Sequence, residues 1–250
     1  MNPQYVYGIV RPKTKGQQTT FKSKPIGKKA SAISLLYDES GTMAALISGA
    51  DKKPFPIKRR NLLAHEEVLT EALSHFDVLP FRFNTIVDSQ QQIKNTLSRD
   101  FERFEAALNE LAGKEEVSVM AYFKQDDYIQ KISEQDAAIV QFKKQLNPKT
   151  AKRDDLIKVG QMVEKAIAAR KGEIQQKLHK ALDKVSVDAV VQTPKGDKAA
   201  FQAAYLVEQD KIDALEEALE EVATPLADEL KFKLNLKLPP YHFIDLRLEE

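Results

Sequence analysis

The pattern of hydrophobic and polar positions in the first 50 residues predicts three strands. Tyr5 to Val10 is an aromatic and β-branched run, which is typical of a strand. Residues 32–37 and 42–48 flank the turn-rich tetrad Asp38-Glu39-Ser40-Gly41, and this arrangement predicts a β-hairpin. The chain therefore begins with strands rather than with a helix.

Two amphipathic helices follow. Residues 61–76 place Leu62, Leu69 and Leu73 on one stripe, which we expect to face the core. Ser89 and Gln92 form a capping-box pattern at the start of a second helix that runs to Gly113.

Between these helices, residues 78–87 read as one strand. Leu79, Phe81 and Phe83 alternate onto one apolar face, whereas Arg82 points to the other face. Arg82 is either a solvated side chain or a contact for a partner protein.

The second half repeats the mixture of strands and helices. Residues 117–123 predict a strand, 125–146 a helix, and 151–185 a long helix that folds back on the preceding one as a hairpin. Further on, residues 187–192 are ambiguous between a helix end and a strand, and residues 199–207 predict a strand. An acidic helix follows at 208–222, and a cleanly alternating strand at 232–238.

These elements predict an α+β fold with two domains, 1–113 and 114–250. Each domain is expected to be a small sheet, in part ferredoxin-like, covered by helices. Lys114-Glu115-Glu116 is the expected junction, and the second domain contains the helical hairpin and the C-terminal tail.

Composition narrows the class of protein. The 250 residues are 42% hydrophobic and 30% charged, with no cysteine, which excludes disulfides, thiolate catalysis and cysteine-bound metals. No apolar run approaches the roughly 20 residues that cross a bilayer, and the N-terminus lacks a signal-peptide pattern. A cytoplasmic location with no membrane association is expected.

Charge is distributed unevenly along the chain. Residues 1–60 contain twelve Lys and Arg but three acids, whereas residues 208–250 contain five basic residues and twelve acids. This asymmetry could serve contact within one molecule, head-to-tail contact between molecules, or binding of charged partners. Alternatively, both charged regions are simply solvated faces.

The basic residues are concentrated in two predicted loops. Residues 11–30 include Lys28 and Lys29 and read as a flexible loop, and residues 51–60 end with Arg59 and Arg60. One alternative function is therefore binding of anions or nucleic acid, although the first loop has a single aromatic residue for base stacking. Nucleic acid is not the expected partner.

No motif of catalysis or metal binding is present. The chain lacks a phosphate loop, a dinucleotide fingerprint, a nucleophile elbow and a zinc-protease helix. His65 precedes Glu66 and Glu67, but position 69 is Leu, so we interpret His65 as a hydrogen-bonded histidine at the edge of a core. We therefore predict no enzyme, catalytic residue, metal or cofactor.

Three motifs, taken in order, resemble the GvpL/GvpF family of gas vesicle proteins over nearly the full length. They are Tyr5-Val6-Tyr7-Gly8-Ile9-Val10, the segment 63–69 leading into Val78-Leu79-Pro80-Phe81-Arg82-Phe83, and Leu238-Pro239-Pro240-Tyr241-His242-Phe243. The chain departs from the family pattern at Asn84, where the family usually has Gly. It departs again at residues 236–238, where a Gly-Pro-Trp is usual, and it is therefore a divergent member.

The resemblance implies a non-catalytic accessory protein that binds the hydrophobic shell subunit or other gas vesicle proteins during nucleation and growth. The rival within the same family is a minor component of the finished shell. The expected fold determinants are Tyr7, Gly8, Leu79, Pro80, Phe81, Phe83, Pro239 and Pro240.

Candidate contacts for a partner protein come from exposed or stiff positions. Pro239 and Pro240 either lock the tail onto the protein's own core or present Tyr241 as an interface anchor, and we favour the locked tail. A monomer is one expectation, and the sequence leaves the oligomeric state open. The full candidate set is Arg82, Tyr241, Phe243, Lys28, Lys29, Arg59 and Arg60.

Overall fold

The computed structural model describes residues 2–27, 31–124, 127–146 and 152–244. The chain divides into two compact units, one containing residues 1–116 and 236–250 and the other residues 117–235. The boundary after Glu116 lies near the predicted junction. The C-terminal residues, however, group with the first unit, whereas the sequence analysis placed them in the second domain.

The first unit contains an antiparallel sheet of five strands in the order β2-β3-β1-β4, with β5 also paired to β1. The predicted N-terminal strand and hairpin are confirmed as β1, β2 and β3. The strands are β1 Gln4–Pro12, β2 Ser34–Tyr37, β3 Ala44–Gly49, β4 Phe76–Pro80 and β5 Ile86–Val87.

Helices cover both faces of this sheet, which is why seven consecutive residues of β1 are buried. Helix α1, Arg59–Leu73, packs on one face, and helices α2, Gln90–Arg99, and α3, Phe101–Leu111, belong to the other. Ser89 caps α2 by accepting a hydrogen bond from the backbone N–H of Gln92, at 3.2 Å, as its capping-box pattern predicts. The second predicted helix is broken at Asp100 into α2 and α3.

The prediction of one strand over 78–87 is wrong. Strand β4 ends at Pro80, the chain turns through residues 81–85, and β5 is a separate pair of residues. Asn84 has a φ of 73°, a left-handed conformation that Asn tolerates better than most residues. A glycine-like backbone position therefore persists here without glycine.

The second unit holds most of a four-stranded antiparallel sheet in the order β7-β8-β6-β9. Its chain order is strand, helices, strand, strand, helix, strand, which is the ferredoxin-like order expected in part. The predicted α+β class is confirmed. The elements are β6 Lys114–Phe123, α4 Tyr128–Gln135, α5 Ala137–Gln145, α6 Arg153–Leu182, β7 Asp188–Val191, β8 Ala199–Glu208, α7 Ile212–Ala223 and β9 Leu230–Leu238.

The predicted long helix is confirmed as α6, 30 residues, followed by a 3-10 turn. Helices α4 and α5 pack against it, separated at Asp136, whose carboxylate caps α5. The buried side chains of α6 are Ile174, Leu178 and Leu182, all in its last nine residues. The remainder of α6 is only partly covered by its neighbours.

Candidate functional site

Segments that lie far apart in the sequence meet around the ring of His65 in the first unit. Its ring centroid lies 5.7 Å from that of Tyr5, 5.6 Å from Tyr7, 6.0 Å from Phe83 and 6.2 Å from Tyr241. We call these five residues the His65 cluster. The cluster contains one aromatic side chain or more from each of the three motifs on which the family resemblance rests.

Both ring nitrogens of His65 are hydrogen-bonded. Nδ1 lies 2.9 Å from the Tyr5 hydroxyl, and Nε2 lies 3.1 Å from the backbone carbonyl oxygen of Phe81. The carbonyl oxygen of Phe81 can only accept, so Nε2 carries the ring proton and donates it there. Nδ1 therefore accepts the proton of the Tyr5 hydroxyl, whose oxygen also accepts a hydrogen bond from the backbone N–H of Asn84, at 3.0 Å.

Burial controls the charge of this histidine. His65 is 3% exposed, and desolvation lowers its pKa to about 4, against the opposing effect of the hydrogen bond to Phe81. The ring is neutral at physiological pH and fully hydrogen-bonded. It thus has neither a free lone pair for a metal nor a proton position suited to acid/base catalysis near pH 7.

Gly8 fixes how closely the first two motifs approach. A Cβ atom at this position would lie 2.5 Å from the carbonyl oxygen of Leu79 and 3.1 Å from the Cα of Pro80. Both contacts are backbone atoms, which cannot rotate away. The absence of a side chain at Gly8 therefore allows β1 and β4 to pair at this point.

The third motif is held by two buried acids. Glu116 is 3% exposed and accepts hydrogen bonds from the backbone N–H of His242, at 3.0 Å, and from its Nδ1, at 2.7 Å. Glu115 accepts from the backbone N–H of Lys237, at 3.1 Å. The hydrogen bond to Glu116 raises the pKa of His242.

The ring of Tyr241 stacks on that of His65, although 36% of Tyr241 remains exposed. Desolvation, followed by the nearby Tyr5 hydroxyl and the carboxylates of Glu66 and Glu116, raises the pKa of the Tyr241 hydroxyl. These contacts match a locked tail. The sequence offered no signal for the two buried acids that hold it, since adjacent glutamates normally indicate a solvated surface.

The expected fold determinants are in the interior. Phe83 is half-buried and Gly8 lies in the fully buried part of β1, and the remaining six are buried: Tyr7, Leu79, Pro80, Phe81, Pro239 and Pro240.

The candidate partner contacts are scattered over the first unit. Arg82 lies in the turn after β4, is exposed, and has no side-chain hydrogen bond or ion pair within the part of the chain that the structure describes. Arg59 and Arg60 are exposed at the start of α1, and Phe243, within the C-terminal tail, is half-buried. Lys28 and Lys29 lie outside the described residues.

The first basic loop is packed on α1 over its described part rather than extended into solvent. The carboxylate of Glu71 accepts hydrogen bonds from the backbone N–H groups of Lys22 and Ser23, both at 2.8 Å, and Ile26 is 1% exposed. Arg11 forms an ion pair with Asp77, 2.7 Å apart. The expectation of a flexible loop overlooked these anchors, which come from Glu71 in α1, nearly 50 residues away, and from Asp77 in β4.

Two groups of apolar side chains lie on the surface. In the first unit they include Leu62, which is 40% exposed, so its predicted place on the inward stripe of α1 is wrong. Ile57 and Leu63 are 81% and 42% exposed. In the second unit the exposed apolar side chains are Ile129, Leu156, Ile157 and Val187.

A cavity of about 230 Å³ in the second unit has Tyr128, Arg170 and Glu229 in its wall. Arg170 binds Glu229 through its Nε, at 3.0 Å, and Glu173 through a terminal nitrogen, at 2.8 Å. Arg170 is therefore shared between two carboxylates. Across the four described ranges, no three His, Cys, Asp or Glu side chains are grouped so that they could hold a metal ion.

The fold and the site together define a class: a two-sheet α+β protein whose first unit is organised around a buried, fully hydrogen-bonded histidine and its aromatic neighbours. No helix in the described ranges is long and apolar enough to span a membrane.

Residues 3–245 match the family model of gas vesicle synthesis protein GvpL/GvpF, so the chain belongs to that family. The resemblance noted in the three motifs is thus confirmed. The family is one of structural and assembly proteins for gas vesicles rather than of enzymes, and membership implies a role in gas vesicle formation.

Individual relatives share the whole length of the chain. Gas vesicle protein F of Dolichospermum flosaquae is 27% identical over 247 residues, which cover 98% of each chain. The protein of the same name from a Streptomyces species is 26% identical and covers 96% of this chain and 99% of its own.

Two crystal structures share the fold. Gas vesicle protein GvpF from Anabaena sp. PCC7120 has a TM-score of 0.84 with 21% identity, covering 99% of this chain and 100% of its own. The GvpF structure from Microcystis aeruginosa has a TM-score of 0.74 with 20% identity, covering 98% and 99%.

Proposed function

We propose that this protein is an assembly factor that binds the hydrophobic shell subunit, other gas vesicle proteins, or both, during nucleation and growth of the vesicle. The observation that carries the proposal is the family match over residues 3–245, together with relatives named gas vesicle protein F over the full length. The protein acts in the cytoplasm, without a cofactor, by covering apolar surface of a partner before assembly.

The outer part of the helical hairpin is the surface that best fits an apolar partner. From Arg153 to Glu173, helix α6 contains no buried side chain, and Leu156 and Ile157 are 63% and 49% exposed. Leu156 and Ile157 lie near α5, because Lys158 sits over the ring of Phe142, and they are far along α6 from Arg170, where α4 packs. An exposed apolar helix face of this kind accepts the apolar face of a partner helix, and leaving it in water is unfavourable.

A co-expression pull-down tests the proposal. The tagged protein is expressed with the shell subunit and each accessory protein, and we expect at least one of them to co-purify. The double variant Leu156→Ser with Ile157→Ser should lose most of that recovery. The control Val187→Ser removes an exposed apolar side chain elsewhere on the second unit and should retain it. Failure of every gas vesicle protein to co-purify with the wild type would contradict the proposal.

The rival role, a minor component of the finished shell, is separated by washing purified vesicles with urea and probing for the protein. An assembly factor is removed or absent, whereas a shell component persists.

Arg82 is tested in the co-expression pull-down, because an exposed arginine at an interface contributes strongly to binding. If Arg82→Ala folds normally and retains every partner, Arg82 is a solvated side chain.

The alternative of anion or nucleic-acid binding makes a different prediction. Arg59 and Arg60 would then bind an oligonucleotide with an affinity that falls steeply as salt increases. The double substitution Arg59→Gln with Arg60→Gln would abolish that binding without affecting recovery of gas vesicle proteins.

A further inference from the structure

Two helix ends in this chain carry charges that destabilise their own helices, and the two charges have opposite signs. Helix α1 begins with Arg59 and Arg60 directly after Lys58, has no acid in its first turn, and has no side-chain cap. Helix α7 ends with Glu220 and Glu221 near its C-terminus and has no basic residue in its last turn. Each arrangement opposes the helix dipole.

The start of α1 is also apolar. Ile57 is 81% exposed, and Leu62 and Leu63 are about two-fifths exposed, next to the three cations. We call this group the basic surface: Ile57, Lys58, Arg59, Arg60, Leu62 and Leu63. An apolar patch bordered by charges of one sign is typical of a protein-binding surface.

The outer face of α7 is the acidic surface, made of Asp213, Glu216, Glu217, Glu220 and Glu221, all exposed. Its acids lie four residues apart in three pairs, and like charges at this spacing repel across one turn. None of them forms an ion pair within the described ranges, so nothing there offsets the repulsion. Beyond the helix, Pro225 and Ala227 are exposed and supply apolar area.

We propose that the acidic surface of one molecule docks on the basic surface of a second copy. Contact would place glutamates beside the positive end of α1 and cations beside the negative end of α7, which relieves both unfavourable arrangements at once. A second copy fits better than nucleic acid, because the basic surface presents aliphatic side chains and no aromatic ring for base stacking. The contact is head-to-tail and does not depend on the proposed role in gas vesicle formation.

Sedimentation velocity of the purified full-length chain tests the docking. At about 50 mM NaCl we expect association that increases with protein concentration, and at about 500 mM we expect it to weaken by at least roughly tenfold, because salt screens surface charges. A wild type that stays monomeric at low salt up to about millimolar concentration would overturn the proposal, since an interface this charged should be detectable there.

A charge exchange then tests the two surfaces. The triple reversal Lys58→Glu, Arg59→Glu and Arg60→Glu should make the protein monomeric. So should the quadruple reversal of the four glutamates of α7 to Lys. An equimolar mixture of the two variants should associate again, because each surface meets its opposite charge.

Matched controls separate this contact from an effect of net charge. Reversal of the exposed Lys177, Lys180 and Lys184 to Glu changes the net charge as much as the triple variant does, and it should leave association intact. Each variant is checked by its thermal melt. If the two monomeric variants melt normally but do not associate when mixed, the proposal is wrong.

Discussion

Replacing Gly8 by Ala adds one methyl group where the backbones of β1 and β4 approach closely. That carbon would lie 2.5 Å from the carbonyl oxygen of Leu79, whereas ordinary contacts between non-bonded heavy atoms are about 3.5 Å. Strands β1 and β4 would therefore have to separate by roughly 1 Å at this point. The hydrogen bond from the N–H of Phe81 to the carbonyl oxygen of Tyr7, now 2.8 Å, lies directly beside the site and would be stretched.

The cost follows from two terms. Overpacking a well-packed core by one carbon costs about 1–3 kcal/mol, and loss of one backbone hydrogen bond about 1 kcal/mol. We expect Gly8→Ala to lower the free energy of unfolding by about 2–4 kcal/mol, which corresponds to a fall in Tm of about 10 °C for a chain of this size.

The control is the same chemical change in an open position. A Cβ at Gly160, inside α6, has no atom within 4 Å, so Gly160→Ala should raise stability by about 0.5–1 kcal/mol through helix propensity. Urea unfolding of both variants, followed by circular dichroism, measures the difference. If Gly8→Ala is as stable as the wild type, the backbone contact is not the constraint that we infer.

Substitutions at three further positions test other contacts. His65 has a pKa of about 4 in the fold against about 6.5 in the unfolded chain, so its contribution to stability is complete above pH 6.5 and is lost as the pH falls towards 4. This loss is about 3 kcal/mol in the free energy of unfolding. It should disappear in His65→Phe when unfolding is measured across that pH range. Asn84→Gly should lower the free energy of unfolding by about 1 kcal/mol, because it removes the two hydrogen bonds to the backbone of Phe55. Asn84→Ala should cost about 1 kcal/mol more, because alanine is strained in the left-handed conformation. Equal losses in urea unfolding would refute this strain. Arg170→Lys should lower stability by about 1 kcal/mol, since lysine cannot reproduce the two-pronged contact with Glu229; a melt equal to that of the wild type would show that this pair contributes nothing.

Local patterns predicted most of the secondary structure. The hairpin around residues 38–41, the cap at Ser89 and the long helix α6 depend on neighbours within a few positions, so the sequence pattern carries them. The errors occurred where one local signal hid a break. Asp100 and Asp136 each interrupt an apolar periodicity that continues on both sides, and periodicity alone does not detect such a break.

The His65 cluster could not be assembled from the sequence. Motif order predicted which residues matter for the fold, and His65 was interpreted as hydrogen-bonded. However, Tyr5 and Tyr241 are more than 230 positions apart, and no periodicity relates residues at such a distance. The burial of Glu115 and Glu116 was equally hidden, because their partners are backbone N–H groups of a distant segment.

The C-terminal segment that hydrogen-bonds to Glu115 and Glu116 is synthesised last, so the first unit cannot complete its fold until that segment has been made. Residues 1–116 emerge from the ribosome first, but the ring of Tyr241 that covers His65 emerges about 120 residues later. At a synthesis rate of about 5–20 residues per second, the first unit waits roughly 6–25 s for its last aromatic side chain. During that interval His65 lacks part of its cover, and a chain that ends before residue 236 never gains it.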